Sequence, residues 1–238
     1  MRALTAIELL GIWERGTNQP PVRRALLLLA AACPESSEEE LCHLSIGQRN
    51  ERLLTLREWT FGPQMTGLTD CPGCGQRSEL TLNADDLRSA DALSSLAGTE
   101  LELTVDGHPI RFRLPNSDDL LAVAGIEDAD VRHNQFFHRC LLTTGDDLPP
   151  NAMERVGEEM TRADPLADVW LALSCPACRH SWQAPFDILL FFWREIHAWA
   201  RDLLRDIHTL AFAYGWREAD ILSMSPVRRQ LYLEMATG

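Results

Sequence analysis

Two short segments have the residue types and spacing to do chemistry: Cys71-Pro-Gly-Cys74 and Cys175-Pro-Ala-Cys178. Two residues between the cysteines of a pair let both thiolates reach one ion, and two pairs supply the four ligands that structural Zn²⁺ arranges as a tetrahedron. Such a shell is closed. With no position left for water or substrate, it fastens a chain and leaves substrates alone. The expected ligands are Cys71, Cys74, Cys175 and Cys178, and the expected cofactor is one structural zinc ion.

The pairs are separated by 100 residues, far more than a compact zinc ribbon uses. Loop closure grows only with the logarithm of length, so a connector of that size costs about 1.5–2 kcal/mol more than one of about 15 residues. Structural zinc contributes about 10 kcal/mol. A ribbon split by an insertion is therefore physically reasonable.

Three other readings of the cysteines stand beside this one. A thioredoxin-like redox pair sits on a strand-to-helix turn, whereas strand-like sequence follows each pair here, Ser78 to Leu82 and Ser181 to Ala184. Structural disulfides belong to oxidising compartments, and the N-terminus has a short apolar run interrupted by Glu8 with no cleavage pattern, so a cytoplasmic protein is expected. Simple buried thiols do not account for two matching knuckles. Cys33, Cys42 and His43 lie close in sequence but match no ligand spacing, and His180 reads as a neighbour of the second knuckle.

The chain has 238 residues, 45% of them hydrophobic, enough to bury about 70% of its unfolded surface without help from a metal. Its formal charge is −13, and four thiolates around a divalent ion add about two further negative charges. That field repels phosphate backbones, and neither knuckle carries a basic cluster beyond Arg77 and Arg179. Nucleic acid is thus disfavoured as a partner. The longest apolar run near the C-terminus, Ile188 to Trp193, is too short to span a membrane.

The elements that must position the knuckles are mostly helices. Thr5 and Glu8 have capping-box spacing ahead of a helix to about Arg15, and Pro20 and Pro21 open a buried helix running to about Cys33. After the acidic turn Ser36 to Glu40, Ser45 and Gln48 lead a helix to about Trp59, with Arg49, Arg52 and Arg57 off the face that holds Leu53, Leu56 and Phe61. Gly75 is placed for a left-handed residue after the first knuckle, where the second has Arg179. Leu101 to Val105 and Ile110 to Leu114 alternate around Asp106-Gly107, a hairpin signal. Helices follow from about Asn116 to Ala124 and around His133, Phe136, Phe137 and His138; Asp147 to Asn151 is a proline-containing connector, and another helix runs from Ala152 to about Arg162. Beyond the second knuckle, Leu189, Phe192, Ile196, Trp199, Leu203, Ile207 and Leu210 form a long apolar stripe at helical spacing. Tyr214-Gly215-Trp216 breaks it, and Ser225-Pro226 starts a last helix.

The expected fold is α+β, mainly helical, with a split four-cysteine zinc ribbon and an inserted β-hairpin plus helices. Its parts are an N-terminal helical region (1–68), the ribbon (69–89 and 166–187), the insertion (90–165) and a C-terminal helical region (188–238). No internal repeat or low-complexity tract is evident.

Two stretches, Leu44 to Gly62 leading to the first knuckle and Ala213 to Tyr232, resemble the baseplate or baseplate-assembly proteins of T-even-type contractile phages and related bacterial contractile injection systems. The second shows a tryptophan-led short helix, then Ser-Pro, then a basic helix bearing a tyrosine. The resemblance implies a non-enzymatic structural or assembly component, made in the cytoplasm and retained in or released from the particle. Its partners would be other baseplate, hub or tube subunits. Partner-binding residues implied on the C-terminal helices are Trp199, Trp216, Arg228, Arg229 and Tyr232. Consistent with that, the chain shows no glycine-rich phosphate loop, nucleophile elbow or His-Glu-x-x-His motif. The alternative is a zinc-ribbon adaptor that binds nucleic acid or acts in gene control.

Overall fold

The computed structural model describes residues 1–88, 100–143 and 148–237. The expected boundary between ribbon and insertion at 89–90, the following residues to 99, and Asp147 of the connector lie outside the described residues.

Capping chemistry sets the N-terminal helices. Thr5 and Glu8 make the predicted reciprocal box and open α1 (Ala6–Gly16), and Pro21 stands in the first turn of α2 (Pro21–Ala32). The acidic stretch read as a turn is a short helix, α3 (Glu38–Cys42), because Ser37 and Glu40 make a second box. Ser45 and Gln48 make a third at the start of α4 (Ile46–Phe61), and Gly62 ends that helix at a φ of 89°. The first knuckle joins β1 (Gln64–Asp70) to β2 (Arg77–Asn83), with the one-turn α5 (Ala84–Leu87) behind them.

Further on, β3 (Leu101–Val105) and β4 (His108–Phe112) pair through a two-residue turn whose Asp106 and Gly107 both have positive φ, the hairpin geometry that Asp-Gly favours. The second strand begins at His108 and not at Ile110, since so tight a turn sets Val105 directly opposite His108. Next come α6 (Ser117–Val123), α7 (Ala129–Cys140) and α8 (Ala152–Ala163). A 3-10 turn, Pro165–Ala167, leads to β5 (Val169–Ser174), the second knuckle and β6 (Ser181–Phe186). Three helices end the chain: the 27-residue α9 (Ile188–Tyr214), α10 (Glu218–Leu222) and α11 (Pro226–Thr237).

The described strands form three separate antiparallel pairs among the helices, an α+β arrangement. One apolar core gathers α1 to α4 around the first half of α9, through residues such as Leu28, Leu53, Leu56, Phe192 and Ile196. The second half of α9 packs with Leu10 and Ile221, and the β3–β4 hairpin packs separately with α7 and α8. Backbone contacts tie the start of α4 to the segment before α6: Ser45 bridges Asn116, and the Ile46 N–H donates to Pro115 O at 3.0 Å.

Two arginines depart from the sequence reading, which set them off the apolar face of α4. Arg49 and Arg57 are 5% and 2% exposed. Arg57 is tolerated because α9 presents Glu195, to which Arg57 donates from Nε at 2.8 Å and from Nη2 at 2.5 Å, while its Nη1 donates to Gly62 O at 2.6 Å. Pairing this complete offsets the cost of burying the Arg57 guanidinium.

Candidate metal centre

Helix α4 is the base from which both knuckle hairpins are held. The first hairpin leaves α4 at Gly62 and returns to it through Arg88, which pairs with Glu51 and Glu58 at 3.0 Å each. The second starts from a turn bolted to the same helix: Asp164 accepts the Gly47 N–H at 2.9 Å, and Asn50 Nδ2 donates to Leu166 O at 2.8 Å. Gly47 is there because a Cβ would stand 1.8 Å from the Asp164 carboxylate. Asp187 then accepts the Leu190 N–H and so caps α9 directly after β6.

The knuckles repeat one another in detail. Cys71 N–H donates to Gln76 O at 2.9 Å and Cys175 N–H to His180 O at 2.8 Å; Gly75 N–H donates to Cys71 O and Arg179 N–H to Cys175 O. Gly75 and Arg179 both take the left-handed conformation, at φ of 72° and 61°. After each hairpin an Asx residue, Asn83 or Asp187, stands at a helix N-cap. The chain thus contains two copies of a strand, knuckle, strand and cap unit. Sequence reading missed this repeat because outside the cysteines and prolines the copies share only an apolar alternation.

The sulfurs meet across the copies. Cys71 Sγ lies 3.7 Å from Cys178 Sγ, and Cys74 Sγ lies 3.7 Å from Cys175 Sγ. All four lie within 4.8 Å of one another. Zinc–sulfur bonds of about 2.3 Å in a tetrahedron require sulfurs about 3.8 Å apart, so the donor set fits such an ion, and these separations are far beyond the roughly 2 Å of a disulfide. Cys71 and Cys175 are buried, and Cys74 and Cys178 are exposed.

Crowding splits the thiols electrically. The Gln76 N–H draws the Cys74 thiol down, but the sulfurs of Cys178, Cys175 and Cys71, together with burial, push it up to about 12. Cys175 moves the other way, to about 6, chiefly because the Cys178 N–H donates to it; the Ala177 N–H helps, against burial. Cys175 thus ionises readily while Cys74 resists. A bound cation removes that conflict. His180 stacks on Trp182 with ring centroids 6.2 Å apart and packs beside Gly73, outside the sulfur cluster.

Four of the residues expected to bind partners gather at the far end of α9, while Trp199 stands near its middle. Trp199 is half-buried between the two apolar clusters that α9 joins. Trp216 stacks on Tyr214 at 4.5 Å, and Tyr232 stands edge-on to Trp216 at 4.8 Å. Arg229 is buried, 3.6 Å from Asp206, whereas Arg228 lies exposed over the Tyr232 ring. Sequence reasoning did not single out the anchors beneath the knuckles, Gly47, Asp164 and Glu195. The one available signal was a glycine in the first turn of a capped helix, where it weakens the helix for no local reason.

Fold and site together define an α+β protein in which two knuckle hairpins, standing on one helix, close on a four-sulfur cluster. A family model described as T4 bacteriophage base plate protein matches residues 6–193, and the chain belongs to that family of baseplate proteins. Comparison with curated proteins and with solved structures gives no match. Among the described residues no helix is long and apolar enough to cross a membrane.

Proposed function

We propose that this protein is a non-enzymatic structural or assembly component of the baseplate of a contractile phage tail-like injection system, held in shape by a structural zinc ion. The family match across residues 6–193 carries the reading. Cys71, Cys74, Cys175 and Cys178 hold the ion, whose part is to cross-link the two halves of a split ribbon, 69–89 and 166–187; the insertion 90–165 and the flanking regions 1–68 and 188–238 dock around it. A clip whose pairs lie so far apart in sequence gives the assembled protein a rigid face, which suits a scaffold. The C-terminal knot of Trp216, Arg228, Arg229 and Tyr232, with Trp199 beneath it, contacts neighbouring subunits. Support for a contact there comes from the apolar side chains left outside, Phe212 at 88% exposure and Val227 at 73%. Assembly takes place in the cytoplasm.

The test is assembly itself. In cells making the particle, the tagged protein is expected to co-purify with hub, wedge or tube subunits, and its deletion is expected to stop baseplate formation. Normal particles from the deletion strain, with no subunit bound to the tagged protein, contradict the proposal.

A further inference from the structure

The knuckle hairpins meet at the sulfur cluster and stand apart toward α4 and α9. An open groove of about 1200 Å³ runs between them. Its walls are the inner faces of the hairpins, where Leu80, Leu82, Leu171 and Leu173 are half-buried. Two further lining residues, Leu68 and Leu190, are 69% and 42% exposed. Alternation along β2 and β5 places these leucines on one side of each strand, the pattern of a face meant to be covered. Within the described residues nothing covers it.

Charge says what kind of partner fits. Three of the carboxylates along the groove are already engaged: Glu195 by Arg57, Asp187 by the start of α9, and Asp168 by the Trp170 indole N–H. Glu79 stands nearer the knuckle end. At the helical end Arg49, only 5% exposed, has an Nη1 with no hydrogen-bond partner among the described residues. Arg194, on the same groove, is exposed and forms no ion pair among those residues. Asp187 and Asp164 already act on the charge of Arg49, so what this end of the apolar trough lacks is an acceptor for Arg49 Nη1 and for Arg194, and a carboxylate is the acceptor that pairs best with a guanidinium.

We propose that the groove seats an apolar segment of another baseplate subunit that carries a carboxylate, with the carboxylate toward Arg49 and Arg194 and the apolar residues between the hairpins. The inference rests on the assembly role proposed above. A photo-reactive phenylalanine is placed at Leu190, and in a second variant at Leu231 on the C-terminal knot, in the full chain within cells that build the particle. The expected cross-link from position 190 is to one peptide of a baseplate subunit, apolar with an Asp or Glu. That peptide, made synthetically, is expected to bind the purified protein, to bind at least 10-fold more weakly when its carboxylate is changed to the amide, and to lose most of this difference against Arg194→Gln.

A cross-link from position 190 to a second copy of this chain overturns the inference, as does a peptide whose affinity ignores the carboxylate. Cross-linking to a baseplate subunit from position 231 alone removes the groove and leaves the assembly role standing. Absence of any subunit from both positions removes both.

Discussion

Replacing Glu195 with glutamine withdraws the anion that makes a buried arginine tolerable. Arg57 has a side chain 2% exposed, and Glu195 one that is 26% exposed. Breaking a buried pair from one side costs about 3–5 kcal/mol because a charge is left behind. Here some solvent reaches the Glu195 position and Gly62 O still accepts from Nη1, so about 2–3 kcal/mol is expected. For a chain of this size that lowers the melting temperature by roughly 5–10 °C. Urea unfolding followed by tryptophan fluorescence, since Trp193 and Trp199 lie on α9, reads the change. Arg57→Met with Glu195→Leu removes both charges and is expected to cost less than Glu195→Gln alone. A single-variant loss under about 1 kcal/mol, or a double variant that equals the sum of its singles, refutes the claim that Glu195 makes the buried Arg57 tolerable.

Gly47→Ala is expected to lose about 1–3 kcal/mol, the usual cost of overpacking, because its Cβ collides with Asp164; thermal melts check this. At the knuckles the left-handed position predicts opposite signs: Gly75→Ala costs about 1 kcal/mol while Arg179→Gly gains a few tenths, as read by urea titration of the metal-bound protein. On α6, burial raises the Asp119 carboxyl, but hydrogen bonds from Arg113 and the Asn116 N–H, with the Arg139 charge, hold it below the usual aspartate value. Its ionised form is thus favoured by folding; the stabilisation is complete above the ordinary value, about 3.9, and is lost as pH falls through the folded one. Asp119→Asn is therefore expected to be less stable at neutral pH yet less sensitive to acid between about pH 5 and 2, by circular dichroism.

What could be read in advance was whatever chemistry acts locally. Capping pairs such as Thr5 with Glu8 and Ser45 with Gln48 close within one helical turn, so their spacing alone located helix starts. The cysteine pairs announced themselves through ligand spacing, and the fold brings all four sulfurs together. Long-range polar contacts left no such trace. Arg57 looks like a solvated residue until α9 arrives 138 positions later with Glu195, and Asp164 precedes a proline as any connector residue might, while its partner Gly47 lies 117 residues away. The short α3 was hidden because three consecutive glutamates read as a turn, although Ser37 and Glu40 carried the capping signal.

The central claim, a clip joining two distant knuckles, is tested most directly by counting metal. Protein purified without chelator is expected to hold one zinc per chain by mass spectrometry, with Cys71→Ser or Cys175→Ser each losing it. Substoichiometric zinc unchanged by either substitution contradicts the account.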